Sequence, residues 1–311
     1  MTVKDEILEH KEQLGVQFDD NLYVALMLGA IAKRHILISS SDPRESEVEL
    51  KTIVGDVWRI RHHTLQIHGD DIHNWDHNKL LEFFVQDSQN FNMDAIYIIL
   101  GLDKLPKQLQ TLILEIMRTR EIVFNGEKYH GGELFMVVGV LDDFHGKDKQ
   151  LFSYLQDEFW FKQPHDPEPK ESQISPKQIE TNTGMIRNFK QVGETVQGVV
   201  VVPEMKRYIY DIIIFIRTHR CVATGLPGRW ITEIELLSKA LCVLFNRGFV
   251  IPSIIKLAAR KLLPSKIRMI KPEHESSLQW GSDPELVNEL MNRITPQLIV
   301  EDVLKKVSPP L

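Results

Sequence analysis

The sequence predicts an α/β fold: a parallel sheet flanked by helices in the first half, followed by an all-helical region. Residues 95–100, Ala-Ile-Tyr-Ile-Ile-Leu, form a short unbroken apolar run, which suits a strand covered on both faces. Beyond Pro106, Leu109, Leu112, Ile113, Ile116 and Met117 recur at helical spacing, so strand, loop and amphipathic helix follow one another. From Glu204 onward the patterning is helical throughout.

The 311 residues are 43% hydrophobic and 26% charged, which suits a globular chain of two domains. A net charge of −6 and a pI near 6.1 argue against a surface that coats nucleic acid everywhere. The two cysteines, Cys221 and Cys242, have neither metal-ligand spacing nor a disulfide framework, and suit a reducing compartment. The first residues read as a charged helix start, and the apolar runs 22–32 and 209–216 are too short to span a bilayer. A soluble intracellular protein with no membrane partner is expected, nuclear or cytoplasmic.

Taken in order, residues 1–34 are expected to be helical, with Leu22, Ala25, Leu26 and Ile31 on one face. A strand at 35–38 leads through the polar turn 39–45 into a helix over 46–60. Strand, turn and helix is the layout of a phosphate-binding loop. Such a loop needs glycines, so that backbone N–H groups can surround phosphates, and a lysine to reach the terminal ones. This turn has neither, and Glu45, Glu47 and Glu49 would repel a triphosphate. The histidine-rich stretch 61–77 contains His73 and His77 at i, i+4, but no third ligand at metal spacing; a strand ending near His68 and a polar loop before a helix at 78–85 is the simpler reading. No metal site is expected.

Residues 121–124 and 128–130 are expected to pair as a hairpin through Asn125-Gly126. A buried strand at 134–140 follows, and Phe159-Trp160-Phe161 is expected in a core. The polar, proline-rich start of 163–190 marks a linker, giving domains at 1–162 and 200–311 joined by 163–199. Helices are expected over 208–218, 232–247, 251–263, 283–293 and 296–307, with Gly248 as a C-cap and Pro252 in a first turn.

The helix ending Ile216-Arg217-Thr218-His219, the loop Gly225-Leu-Pro-Gly-Arg229, the helix running to Asn246-Arg247-Gly248 and the stretch 250–268 resemble the helical lid of MoxR-type AAA+ ATPases. The segment 110–117 with the hairpin after it is similar to the same fold's core. Two further segments resemble the fungal maintenance-of-telomere-capping protein 2 family. One is Arg207-Tyr-Ile-Tyr-Asp-Ile with Arg217-Thr-His-Arg220; the other is Glu275-Ser-Ser-Leu-Gln-Trp-Gly-Ser-Asp-Pro284 with the ending Val303-Leu-Lys-Lys-Val-Ser-Pro-Pro310. The likeness implies a degenerate AAA+-like core, a lid, and a role linked to telomere capping without established catalysis.

Against the ATPase pattern, the phosphate-loop lysine falls near Ser46 and the metal-binding threonine near Glu47. The Walker B carboxylates fall on Leu100 and Gly101, the polar sensor on Asp142, and the arginine after Asp157 becomes Glu158. Only the lid arginine, Arg229, matches a nucleotide-contacting role. Asp103 stands just past the strand as a displaced carboxylate or a turn residue. No catalytic residue, cofactor or metal is therefore expected, because the transition-state charge has nothing to stabilise it. Three functions remain open. One is a non-catalytic scaffold binding a protein partner through the segment containing Ser276, Ser277, Leu278, Trp280, Asp283 and Pro284. Another is an atypical nucleotide switch. The last is a nucleic-acid binder using Lys256, Arg260, Lys261, Lys266, Arg268 and Lys271, a run without acidic or aromatic residues.

Overall fold

The computed structural model describes residues 3–67, 75–86, 91–142, 151–167 and 183–310. The chain divides into two compact units, Met1–Glu194 and Thr195–Leu311. Among the described residues no helix is long and apolar enough to cross a membrane.

The first unit opens with α1 (Val3–Leu14) and α2 (Asp20–Ala32). The continuous helix expected over 1–34 is broken because Gly15 takes a left-handed φ of 64° and Asp19 starts a new helix by accepting from Asn21 N–H. Strand β1 (Ile36–Ser40) runs into α3 (Pro43–Lys51), which continues as a π-helical turn over Thr52–Val57. Strand β2 (His62–Gln66) and helix α4 (His77–Val85) precede β3 (Ala95–Leu100) and α5 (Lys107–Thr119). The hairpin β4 (Glu121–Phe124) and β5 (Glu127–His130) turns through Asn125 and Gly126, both at positive φ as a type I′ turn requires. Strand β6 (Phe135–Asp142), helix α6 (Ser153–Glu158), strand β7 (Lys162–His165) and helix α7 (Thr183–Gly198) complete the series, α7 crossing the division.

Five strands form one parallel sheet in the order β2-β3-β6-β1-β7. The chain leaves β1 for the far edge, returns through β3 and β6, and passes over β1 to reach β7. Strands β1 and β3 are buried along their whole lengths, β3 as an unbroken apolar run and β1 with Ser39 and Ser40 buried at its end. On one face Tyr97 lies 4.9 Å from Phe84 and 5.5 Å from Phe135, ring to ring, and donates its hydroxyl to the Phe84 carbonyl. Phe159, Trp160 and Phe161 are all buried, as the sequence predicts.

Two elements lie where the sequence suggested a linker. Strand β7 contains Pro164, which an edge strand tolerates because one side of its backbone needs no ladder partner. Helix α7 buries Phe189 and Val196 despite three glycines in its span. The linker's remaining residues, 168–182, lie outside the described residues, as do Asp143 and the histidines at 68 and 73.

The second unit is helical: α8 (Pro203–Arg217), α9 (Arg229–Leu244), α10 (Pro252–Leu262), α11 (Pro284–Arg293) and α12 (Pro296–Lys306). Helix α9 packs on α8 and α10, and α12 closes against α8. The left-handed residue beyond α9 is Asn246, at φ 54°, rather than Gly248. Asparagine tolerates that conformation through local hydrogen bonding.

Candidate functional site

In open α/β sheets, ligands collect outside the carboxyl ends of the strands, where neighbouring connections leave in opposite directions. Here that place lies between β1 and β6. A cavity of about 220 Å³ opens there, lined by Asp42 and Arg44 after β1, Gln66 at the end of β2, Gly101 and Lys104 after β3, and Asp142 at the end of β6.

The groups that would receive phosphate are already engaged. Asp42 caps α3, its Oδ1 accepting from Arg44 N–H at 3.0 Å and Glu45 N–H at 3.3 Å. The Ser40 hydroxyl accepts from Asp42 N–H and lies 2.7 Å from the Ser46 hydroxyl. The helix N-terminus, which in a nucleotide-binding loop carries anionic phosphate, here carries the chain's own carboxylate. Glu47, at the metal-binding threonine position, is buried; it pairs with Lys51 at 2.6 Å and accepts from Gln66.

Gly101, where the family resemblance implies the Walker B glutamate, has φ 73°, and a Cβ there would stand 2.6 Å from the Ile67 carbonyl oxygen. The backbone itself excludes a carboxylate side chain at this point. Leu100 beside it is buried in the sheet. Glu158, at the expected arginine position, pairs with Arg118 at 2.9 Å.

A larger cavity, about 860 Å³, lies beside the end of β7, lined by Leu8, Lys11, Glu12 and residues 15–21 of the N-terminal segment together with Glu49, His165 and Asp166. His165 Nε2 sits 3.0 Å from Glu49 Oε2 and Nδ1 3.4 Å from Asp19 Oδ2, with the ring side chain 1% exposed. Burial disfavours the charged ring, but Glu49 and then Asp19 outweigh it, and its pKa is raised. Glu49 also accepts from Asp19 N–H. Sequence reasoning missed this cluster because its members come from three separate segments; the aromatic run ending Phe161 was the available sign that a strand delivers His165.

His35, at the start of β1, behaves oppositely. Complete burial, with the nearby Arg120 charge, lowers its pKa to about 3, and Nδ1 accepts from Val137 N–H. His62 bonds through Nδ1 to the Ile60 carbonyl and His63 stacks on Tyr97. Among the described residues no three His, Cys, Asp or Glu side chains are grouped to hold a metal.

In the second unit, Arg229 begins α9 with its guanidinium 4.5 Å from the Trp230 ring, and Lys266 Nζ is 4.7 Å from the same ring. The basic residues of 256–271 do not form one exposed patch: Lys266 is 5% exposed, and Arg260 forms a two-pronged pair with Glu301. In the 276–284 segment, Ser277 donates to the buried Glu275 carboxylate through N–H and hydroxyl, with Ser276 beside it. The Arg220 and Ser277 hydrogen bonds hold the Glu275 carboxyl at about 2. Asp283 caps α11 and Pro284 opens it. Leu278 lies half-buried in the 3-10 turn Ser276–Trp280, and Trp280 is 86% exposed.

The strand order, the helices on both sheet faces and the helical second unit define an AAA+-like ATPase fold. The crystal structure of a candidate ATPase from Cytophaga hutchinsonii matches it with a TM-score of 0.69, covering 99% of this chain and 96% of that one at 14% identity. Curated homologues carry the name Maintenance of telomere capping protein 2. The Candida glabrata protein is 34% identical over 128 residues, 34% of this chain and 31% of the relative. The Lachancea thermotolerans protein is 31% identical over 211 residues, 65% of this chain and 63% of the relative, and a Saccharomyces cerevisiae protein 27% over 197 residues, 52% and 55%. The matched regions thus span less than two thirds of each relative's length. No family model matches the chain.

Proposed function

We propose that this chain is a non-catalytic AAA+-like interaction protein, and that it serves the telomere-capping maintenance for which its fungal relatives are named. The observation that carries the first part is the Asp42 carboxylate on the N-terminus of α3. A triphosphate arriving there meets a fixed negative charge and bonded N–H groups, with Glu47 behind them in place of a metal ligand. Gly101 has no room for the carboxylate that would polarise water.

The partner surface we favour includes Trp280. Its neighbours Ser277 and Asp283 are committed to local capping, which fixes the segment while leaving the indole in solvent. Exposed tryptophans of this kind are enriched among interface anchors. A second reading, an atypical nucleotide switch, draws support from Arg44 and Lys104 beside the smaller cavity. Direct nucleic-acid binding by the 256–271 segment draws less, since Lys266 is buried and Arg260 is paired.

Calorimetric titration with ATP and ADP, with and without Mg²⁺, separates the first two readings. The scaffold reading expects no saturable heat at millimolar nucleotide. Micromolar binding would replace it with the switch.

A further inference from the structure

We propose that the exposed side of α11 joins two copies of this chain, helix against helix and antiparallel about a two-fold axis. The helix is anchored from its other side, where Val287 and Met291 are buried. Leu286 and Leu290 are instead 55% and 51% exposed. Four residues apart, they stand one turn above the other on the same side. Asp283 precedes Leu286 by three residues and Arg293 follows Leu290 by three, and both are exposed. That spacing keeps all four within one stripe of the helix.

An apolar stripe alone would not say what covers it. The charge order does. The stripe reads acid, leucine, leucine, base, symmetric in spacing about Asn288 and opposite in sign at its two ends. Laid antiparallel on a second copy in the register centred on Asn288, Leu286 meets the second copy's Leu290 and Asp283 meets its Arg293, each contact made twice. A parallel pair would set like charge on like at both ends. A closed two-fold contact requires such a self-complementary patch, and a foreign helix does not.

The charged ends can take these partners. Asp283 caps α11 through Oδ1, which accepts from Glu285 N–H at 2.9 Å, and a carboxylate has further acceptor sites. Arg293 bonds Glu289 one turn back, an exposed pair that exchanges at little cost. Glu289 lies on the flank of the stripe near the axis, so the two copies' Glu289 carboxylates oppose each other mildly in the dimer. A single helix pair buries less than the roughly 1,200 Å² of a standard interface, so the dimer is weak, with a dissociation constant on the order of 100 μM.

Sedimentation equilibrium of the full chain tests this. We expect a reversible monomer–dimer equilibrium at submillimolar concentration. Leu286→Ser with Leu290→Ser should weaken it about 10-fold or more, while Ile214→Ser on the exposed side of α8 should leave it unchanged. Arg293→Asp should weaken it about 10-fold, and adding Asp283→Lys should restore it to within about threefold of the parent, because the swap reverses both ends together. Glu289→Gln should tighten the dimer several-fold, and it serves if loss of the Asp283 cap frays α11 in the swapped variant. A monomer throughout the submillimolar range would overturn the proposal and leave the stripe to a different chain. So would a dimer unmoved by the leucine pair, one weakened equally by Ile214→Ser, or one that a folded swap variant does not rescue. The inference stands apart from the scaffold reading: nucleotide binding would remove that reading and leave the dimer, whereas a monomer that ignores nucleotide would do the reverse.

Discussion

Ser40 at the end of β1 and His165 at the end of β7 are register partners on adjacent strands, yet their surroundings differ sharply. Around Ser40 the backbone and short side chains close on themselves within six residues: hydroxyl to hydroxyl, Asp42 to the helix N-terminus. Around His165 the partners come from α2 and α3, and a cavity remains. The contrast teaches how differently two neighbouring strand ends of an AAA+-like sheet can be finished: one by polar groups that bond each other, the other by an acidic cavity.

Two buried histidines of this unit, His35 and His165, sharpen the contrast through pH. His35 has a folded pKa of about 3 against 6.5 when unfolded, so the folded state binds fewer protons between those values. Its stabilisation is complete above pH 6.5 and is lost as the pH falls towards 3, on the order of 5 kcal/mol for the full shift. Urea denaturation at pH 7 and 4 should show the fall, and His35→Gln should flatten it. His165 has the opposite sign: burial lowers its pKa, but the Glu49 and Asp19 carboxylates outweigh it, and Asp166, Lys11 and Glu12 stand nearby along the same cavity. Its raised pKa stabilises the fold fully below pH 6.5, and that contribution is lost as the pH rises through the folded value. His165→Gln should therefore flatten the alkaline limb and leave the acid limb alone.

Backbone constraint at the end of β3 gives the next largest effect. Gly101→Glu, which restores a Walker B carboxylate in name, should cost about 3 kcal/mol in urea denaturation, since a Cβ meets the Ile67 carbonyl at a left-handed position. Stability close to the parent's would show that the loop can be reopened. Glu49→Ala should cost about 2 kcal/mol by stranding His165 and the Asp19 N–H, measured the same way. Asp42→Ala should cost only about 1 kcal/mol, the usual worth of an N-cap.

Much of the frame was legible from periodicity. The apolar run 95–100 is β3 residue for residue, and Asn125-Gly126 fixes the hairpin. What escaped has physical reasons. Helix α3 starts at Pro43 rather than 46, because Asp42 caps it and Pro43 fits its first turn, inside a stretch whose polarity resembles a loop. Strand β7 is short and carries a proline, so neither alternation nor β-propensity marks it. His165 could not be joined to Glu49, 116 residues earlier, by any local pattern. The segments that resemble the telomere-capping family show their local roles only in three dimensions, where Ser277 and Asp283 turn out to be caps.

The central claim is that the α3 N-terminus is closed to anions by Asp42. Backbone amide resonances of Arg44 and Glu45, followed by NMR during titration with Mg²⁺–ATP and with pyrophosphate, test it directly. We expect both resonances to stay in place up to millimolar ligand in the parent protein. A saturable shift at these two amides would mean that phosphate displaces the Asp42 carboxylate, contradicting the claim.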